Sequence, residues 1–310
     1  MGNTTKLNVK RSISKTLLMV ILPLVAVGIA AIIIVLVNQA KSSLNDMAVQ
    51  ALQAETRANA ADVAESFNTL RTKFGEMAES FERIDFATKE DIQAYIEPSF
   101  SFQDIPNSGI YVAFDDDTIL FADSSIDLGP DFKPTERGWY QDGLKNADFV
   151  GTDPYEDAST GGMCVTFCRK IQLKNGTKGV MGVDVYLNKF NDEIAALSPL
   201  GNGVSLVTAG DYIVSFPQVP DFAGAKISEL NDSYLMELKK FGENATDSSY
   251  TTIKQPNGDY FYITASEIPG TGWKLFSSVG IKYIEAASNR FMVGALIAMV
   301  VILAIITGVI

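Results

Sequence analysis

The pattern of apolar and polar positions changes texture along the chain. Residues 16–37, TLLMVILPLVAVGIAAIIIVLV, form an apolar run without a charge, long enough as a helix to cross a hydrocarbon layer of about 30 Å. A second such run, residues 291–310, closes the sequence. After the first run, Val63, Phe67, Leu70, Phe74, Met77 and Phe81 recur at steps of four and three, the apolar seam of an amphipathic helix of the heptad kind. No proline stands between Pro23 and Pro98, and Gly75 is the one glycine in residues 41–81, so a single long helix over 38–85 is predicted. A seam this rich in phenylalanine fits a helix lying against a sheet or a second protomer. Thr88, Lys89, Glu90 and Asp91 have the form of a capping box opening a short helix that ends near Glu97.

From Gly109 the periodicity shortens. GIYVAFDD and TILFADSS read as two strands joined by the acidic turn Asp115, Asp116, Asp117. That turn lacks the glycine and distant glutamate of a calcium loop and is expected to be solvated. Strands over 162–173 and 179–187 follow, with Asn175 and Gly176 as the turn between them. A linking helix is expected over 188–197, and a boundary at 201–203. A second set then repeats the order: strands at 204–209, 212–216, 250–254, 260–266 and 273–279, with a helix over 232–241. The expected fold class is therefore α+β, two tandem antiparallel modules carried on one long helix. Residues 281–290 are predicted to run as helix into the second apolar run.

Charge gives the chain a direction. The formal net charge is −12, with no histidine, which excludes electrostatic binding of nucleic acid. Lys6, Lys10, Arg11 and Lys15 precede the first apolar run, and all 37 acidic residues follow it. The positive-inside bias thus places residues 1–15 in the cytoplasm, spans at 16–37 and 286–310, and the acidic region 38–290 outside the cell membrane. The run 16–37 exceeds the apolar core of a signal peptide and reads as an uncleaved anchor. The sequence stops at the end of the second span, and a cytoplasmic output domain is expected beyond it. Cys164 and Cys168 lie on one predicted strand about 13 Å apart, too far for a disulfide. They are expected to be free, buried and packed as small apolar groups. Two cysteines alone make no metal site, and no cofactor is expected.

The candidate chemistry sits in DFKPTERGWYQDGLKNADFVGTDPY, residues 131–155. Arg137, Gly138, Trp139 and Tyr140 follow a proline-broken loop and open a short helix, where backbone donors and a guanidinium converge on an anion. The guanidinium suits a carboxylate, and an indole N–H or a phenol adds a further donor. Asp184 stands in the middle of the strand GVMGVDVYL, placed to hold a cation. A positive end and a negative end suit a zwitterion. The plainer reading is a surface arginine stacked on an aromatic ring.

With the anchor, the long helix, the two modules and the motifs ERGWYQDGL, GTDPY and GVDVYL in view, the chain resembles the double Cache (dCache_1) sensor domains of bacterial methyl-accepting chemotaxis proteins and related receptors. The resemblance covers roughly residues 41–285. It implies a ligand-binding membrane-distal module at 86–198 and a membrane-proximal module at 199–285 that passes the signal on. Within the amino-acid-binding branch it implies ligand contacts at Arg137, Trp139, Tyr140, Tyr155 and Asp184. Phe132 stands where that branch has a tyrosine, removing one hydroxyl, and Tyr111 is a substitute for it. The departure leaves room for an amine, a purine or a carboxylate. A homodimer, a small-molecule amino-acid ligand, and cytoplasmic signalling partners beyond the second span are further implications, with a histidine kinase or cyclic-nucleotide enzyme as alternative outputs.

A membrane-anchored external enzyme is the competing class. Against it stand the lack of histidine, of a G-x-S-x-G elbow and of a cysteine with a base partner. Glu156 and Asp157 are adjacent acids in a loop, an arrangement normally just solvated. No catalytic residue is assigned.

Overall fold

The computed structural model describes residues 5–103, 105–255 and 257–309. The chain divides into two compact units, one of Ala51–Val279 and one of Met1–Gln50 with Gly280–Ile310. Helix α1 runs without a break from Thr5 to Phe81, carrying Pro23 inside it. The expected anchor and the expected long helix are thus one element.

In the unit built from both chain ends, α1 displays large apolar side chains outward, with Met19 and Leu24 each 73% exposed. Among the described residues, α1 is the one helix long and apolar enough to cross a membrane. Helix α6, Ile281–Val309, contributes a shorter apolar stretch, Met292–Ile302. Lys41 and Glu285 form a 2.9 Å ion pair between α1 and α6. The ends of the expected segments at residues 1–4 and 310 lie outside the described residues.

In the unit Ala51–Val279, helix α2 spans Lys89–Ile96. The predicted capping box is present: the Asp91 backbone N–H donates to Thr88 Oγ1 at 3.1 Å, and the Thr88 N–H to Asp91 Oδ2 at 2.9 Å. Strands β1 (Asn107–Phe114) and β2 (Ile119–Phe121) follow, then α3 (Gly138–Lys145), β3 (Val150–Gly151), β4 (Tyr155–Glu156), β5 (Met163–Gln172) and β6 (Lys178–Tyr186). These make a six-stranded antiparallel sheet in the order β2-β1-β6-β5-β3, with β4 also on β5. Helix α4, Leu187–Ala196, leads to β7 (Val204–Ala209), β8 (Tyr212–Ser215), α5 (Ser233–Asn244), β9 (Tyr250–Lys254), β10 (Tyr260–Ile268) and β11 (Trp273–Gly280). The second sheet is five-stranded and antiparallel, in the order β8-β7-β11-β10-β9. The α+β class and the two sheets behind a long helix agree with expectation.

The phenylalanine seam is where the core forms. Phe67, Leu70, Phe74 and Phe81 are fully buried and pack with Ile110, Val112, Val165, Phe167, Met181 and Val183 of the first sheet. The seam therefore faces a sheet. Phe67 also meets Trp273 of the second sheet edge to face, with ring centroids 5.0 Å apart, and Phe190 of α4 at 5.7 Å. A separate core of Leu206, Ile213, Leu235, Leu238, Ile263 and Phe276 lies between α5 and the second sheet.

The predicted strand over TILFADSS is shorter than expected. Only Ile119–Phe121 pairs, because Asp123 turns the chain by accepting hydrogen bonds from the Ser125 backbone and hydroxyl. The acidic turn is also more than solvated. Asp117, at φ +63°, accepts hydrogen bonds from Lys133 and from the Thr135 side chain, tying the 131–137 loop to the β1–β2 hairpin.

Candidate ligand site

Strand parity builds the site. In β6, Met181, Val183 and Val185 point into the core against α1, so Val180, Gly182, Asp184 and Tyr186 occupy the other face. On β5, Cys164, Thr166 and Cys168 share that face, with Thr166 directly opposite Asp184. On β1, Tyr111 lies opposite Gly182. A Cβ at residue 182 would stand 2.6 Å from the Tyr111 ring. Glycine is therefore what lets the phenol cross β6 and reach the carboxylate two residues on.

Asp184 is the focus of this face. It is 5% exposed, and its Oδ1 accepts a 2.8 Å hydrogen bond from Tyr111 Oη and a further one from Thr166 Oγ1. Tyr155 Oη lies 3.4 Å from the same oxygen and 2.5 Å from Thr166 Oγ1. Burial pushes the Asp184 carboxyl up to about 6 despite these donors. The Tyr111 and Tyr155 phenols are pushed upward too, first by burial and then by the Asp184 charge, so both remain hydrogen-bond donors.

A second carboxylate and a thiol border Asp184. One ligand atom each of Asp157, Cys164 and Asp184 lies within 4.8 Å of the others. Asp157 is 8% exposed, and its Oδ1 accepts hydrogen bonds from Ser159 Oγ, Thr160 N and Thr160 Oγ1. The expectation of a solvated acid pair thus fails for Asp157, because the turn that follows folds back to cap it. Cys164 and Cys168 are both free and buried. Cys168 packs among Tyr111, Trp139 and Tyr140, as an apolar group would, with its thiol pushed by burial up to about 12. Cys164 instead borders the carboxylates, and burial together with the Asp184 charge pushes its thiol upward as well. A metal here would need the thiolate, whereas an ammonium needs only the two carboxylates and the hydroxyls.

The positive pole is Arg137, the residue before α3. Helix α3 lies on the sheet through Gly143, where a Cβ would collide with Val180. Arg137 is half-buried and forms no ion pair among the described residues. Its guanidinium lies 5.8 Å from the centre of the Phe132 ring, so the phenylalanine at the departing position supplies an aromatic face in place of a hydroxyl. Arg137, Trp139 and Tyr155 border one hollow of about 470 Å³, shared with Asp142 and Asp153. Asp184 does not line that hollow. Tyr155 joins the poles, since it borders the Arg137 hollow while its hydroxyl reaches Thr166 and Asp184.

The remaining residues divide. Trp139 is buried edge to face against Tyr111, at 5.0 Å between centroids. Tyr140 is equally buried, but the charges that act on its phenol are those of Asp115, Asp117 and Asp116, at the acidic hairpin turn. The structure thus brings Tyr111, Tyr155, Thr166 and Asp184 together, and sets Arg137 and Phe132 at the helix start. Thr166 and Gly182 were missed in the sequence, and Asp157 was read there only as a solvated acid. For Thr166, its even spacing from Cys164 and Cys168 and its place in the strand hairpin were the available signals.

Comparison with known proteins gives three findings. The family model dCache_1, described as a Cache domain, matches residues 35–288. The methyl-accepting chemotaxis protein McpB of Bacillus subtilis (strain 168) is 29% identical over 304 residues, covering 94% of this chain and 42% of McpB. The chain therefore spans about two fifths of that relative's length. Among solved structures, the ligand-binding domain of Mlp24 with asparagine aligns at a TM-score of 0.63 and 18% identity, covering 80% of this chain and 99% of that one. The ligand-binding domain of the Pseudomonas aeruginosa PAO1 amino-acid chemoreceptor PctB, in complex with L-arginine, aligns at 0.58 and 18%, covering 74% and 93%. At such identities the two structures speak for the shared fold.

Proposed function

The chain belongs to the dCache_1 family of Cache domains, and on that premise we propose that it is the sensing portion of a transmembrane chemoreceptor whose ligand is a small zwitterion, an L-amino acid. The observation that carries this reading is a carboxylate and a guanidinium that have Tyr155 in common. A buried carboxylate at Asp184 sits in a cradle of hydroxyls, and Arg137, whose hollow Tyr155, Asp142 and Asp153 also border, forms no ion pair among the described residues. Asp184 and Asp157 would take the α-ammonium, and Arg137 with Trp139 the α-carboxylate. Tyr155 and Tyr111 would orient the ammonium pole, and Tyr140 would close the outer side of α3. The mechanism is recognition without chemistry. The chemoreceptor sensor relatives support a non-enzymatic role for this region.

On this reading residues 86–198 are the membrane-distal, ligand-binding module and 199–285 the membrane-proximal one. The apolar part of α1 and residues 286–310 are the two spans, residues 1–15 are cytoplasmic, and 38–290 lie outside a bacterial cell membrane. Ligand shifts a conformational equilibrium by preferring one state, and the shift passes as a small displacement of α6 against α1 in a homodimer to cytoplasmic partners. Charge argues against a simple amine, since Arg137 would meet a like charge in the closed site.

The test is titration calorimetry on the full chain in nanodiscs with the L-amino acids, putrescine and adenine. Saturable binding of a zwitterion, lost in Asp184→Asn and in Arg137→Ala, is expected. Binding of adenine or putrescine alone, or zwitterion binding untouched by both substitutions, overturns the reading. For signalling, site-directed cross-linking along α1 and α6 is expected to change pattern on ligand addition. An unchanged pattern refutes the displacement.

A further inference from the structure

A second cavity of about 780 Å³ opens beside the Asp184 pole. It is joined to that pole by three of its lining residues. Ser108 Oγ accepts the Asp184 backbone N–H at 2.9 Å. Thr160 donates to Asp157 through both its backbone N–H and its hydroxyl. Tyr186 follows Asp184 on the same face of β6, and its phenol is pushed upward by burial and then by the charges of Asp184, Asp157, Cys164 and Asp123. The cavity thus lies next to the residues that hold Asp184 and Asp157, although neither carboxylate lines it.

Its outer wall is net negative. Asp123 and Asp127 line it, against the single cation Lys189. Each aspartate uses Oδ1 to accept from its own turn, Asp123 from Ser125 and Asp127 from the Gly129 backbone. The ammonium of Lys189 does not pair with either of them among the described residues. It rests instead over the Tyr186 ring, 5.3 Å from the centroid, and so leaves both carboxylates without an ammonium partner among the described residues. Two carboxylates against one ammonium leave a net negative field that a neutral side chain does not answer.

We propose that this cavity receives the side chain of the ligand and that the ligand is a cationic amino acid, with its distal ammonium or guanidinium against Asp123 and Asp127. The proposal rests on the zwitterion reading and narrows it. A chain of three or four methylenes, as in ornithine, lysine or arginine, separates the two cationic ends and keeps each beside its own carboxylates. Because Asp123 and Asp127 are partly or fully exposed, the selectivity they confer is about tenfold.

The experiment is calorimetric titration of the full chain in nanodiscs with L-ornithine, L-lysine, L-arginine, L-norleucine and L-glutamate. Wild-type protein is expected to bind at least one cationic member about tenfold more tightly than norleucine, and glutamate most weakly. In Asp123→Asn with Asp127→Asn that preference is expected to fall to within twofold, while norleucine affinity stays unchanged. Norleucine binding as tightly as every cationic member overturns the proposal and leaves the zwitterion reading standing. A cationic preference undiminished in the double variant overturns the assignment of this wall. Absence of binding by all five overturns the proposal, and the zwitterion reading falls with it only if the full set of L-amino acids also fails to bind.

Discussion

At Asp184 three hydroxyl groups gather around one carboxylate oxygen, and burial still outweighs them. A carboxyl held near 6 in the folded chain takes up its proton more readily than the same group unfolded, which titrates near 3.8. Acidification from pH 6 toward pH 4 therefore favours the fold through this group, and above pH 6 the buried anion opposes it by roughly 3 kcal/mol. Asp184→Asn removes that burden. Its melting temperature is expected to exceed the wild-type value at pH 7, and the gap to close as the pH falls to 4. Losses from carboxylates held below their usual range, such as Asp117 and Asp211, affect both proteins alike. Zwitterion binding needs the anion, so affinity is expected to fall about tenfold for each pH unit below 6. Tyr111, Tyr155 and Cys164, which face the carboxylate, are pushed upward and stay neutral through that range, and Asp157 is the neighbouring acid. A flat affinity profile between pH 7 and 5 counts against Asp184 as the ammonium partner. Gly182→Ala probes the same geometry from behind, since the added methyl displaces the Tyr111 ring. Loss of that charge-assisted bond is expected to weaken zwitterion binding by about tenfold with little change in the far-ultraviolet circular dichroism.

Among the elements, periodicity decided what could be read in advance. The α1 seam was legible because six apolar positions keep a helical step over nearly twenty residues, and its burial against the first sheet follows from the size of those rings. Phe67 sits where that seam touches both sheets, so Phe67→Ala is expected to destabilise by about 3 to 5 kcal/mol in chemical denaturation. A cost below 1 kcal/mol would contradict this packing. The strands β5, β6 and β7 to β11 lie within two residues of their expected limits, since hairpin turns at Asn175-Gly176 and Asn257-Gly258 fix their ends. Strands β3 and β4 escaped notice because two residues carry no period. Asp157 looked solvated because nothing in an adjacent acid pair announces that Ser159 and Thr160 will fold back on it. Asp184 and Arg137 were singled out as candidates by type and position. The hydroxyl cradle was not, since Tyr111, Tyr155 and Thr166 come from three strands and meet only once register is set.

Across the whole molecule, the two ends of the chain share one unit, with Lys41 of α1 paired to Glu285 of α6. Both groups are more than a third exposed or close to it, so Lys41→Ala is expected to change stability by less than about 1 kcal/mol. In the unit Ala51–Val279 the situation differs, because Trp273 belongs to the second sheet yet lies among Phe67, Phe167 and Phe190 beside the first. An indole shared in this way cannot be released from one side while the other stays intact. Heating is therefore expected to give a single calorimetric peak for this region, with van't Hoff and measured enthalpies in agreement. Replacing the indole by alanine is expected to split that peak in two, turning one cooperative body into a pair that melt on their own schedules.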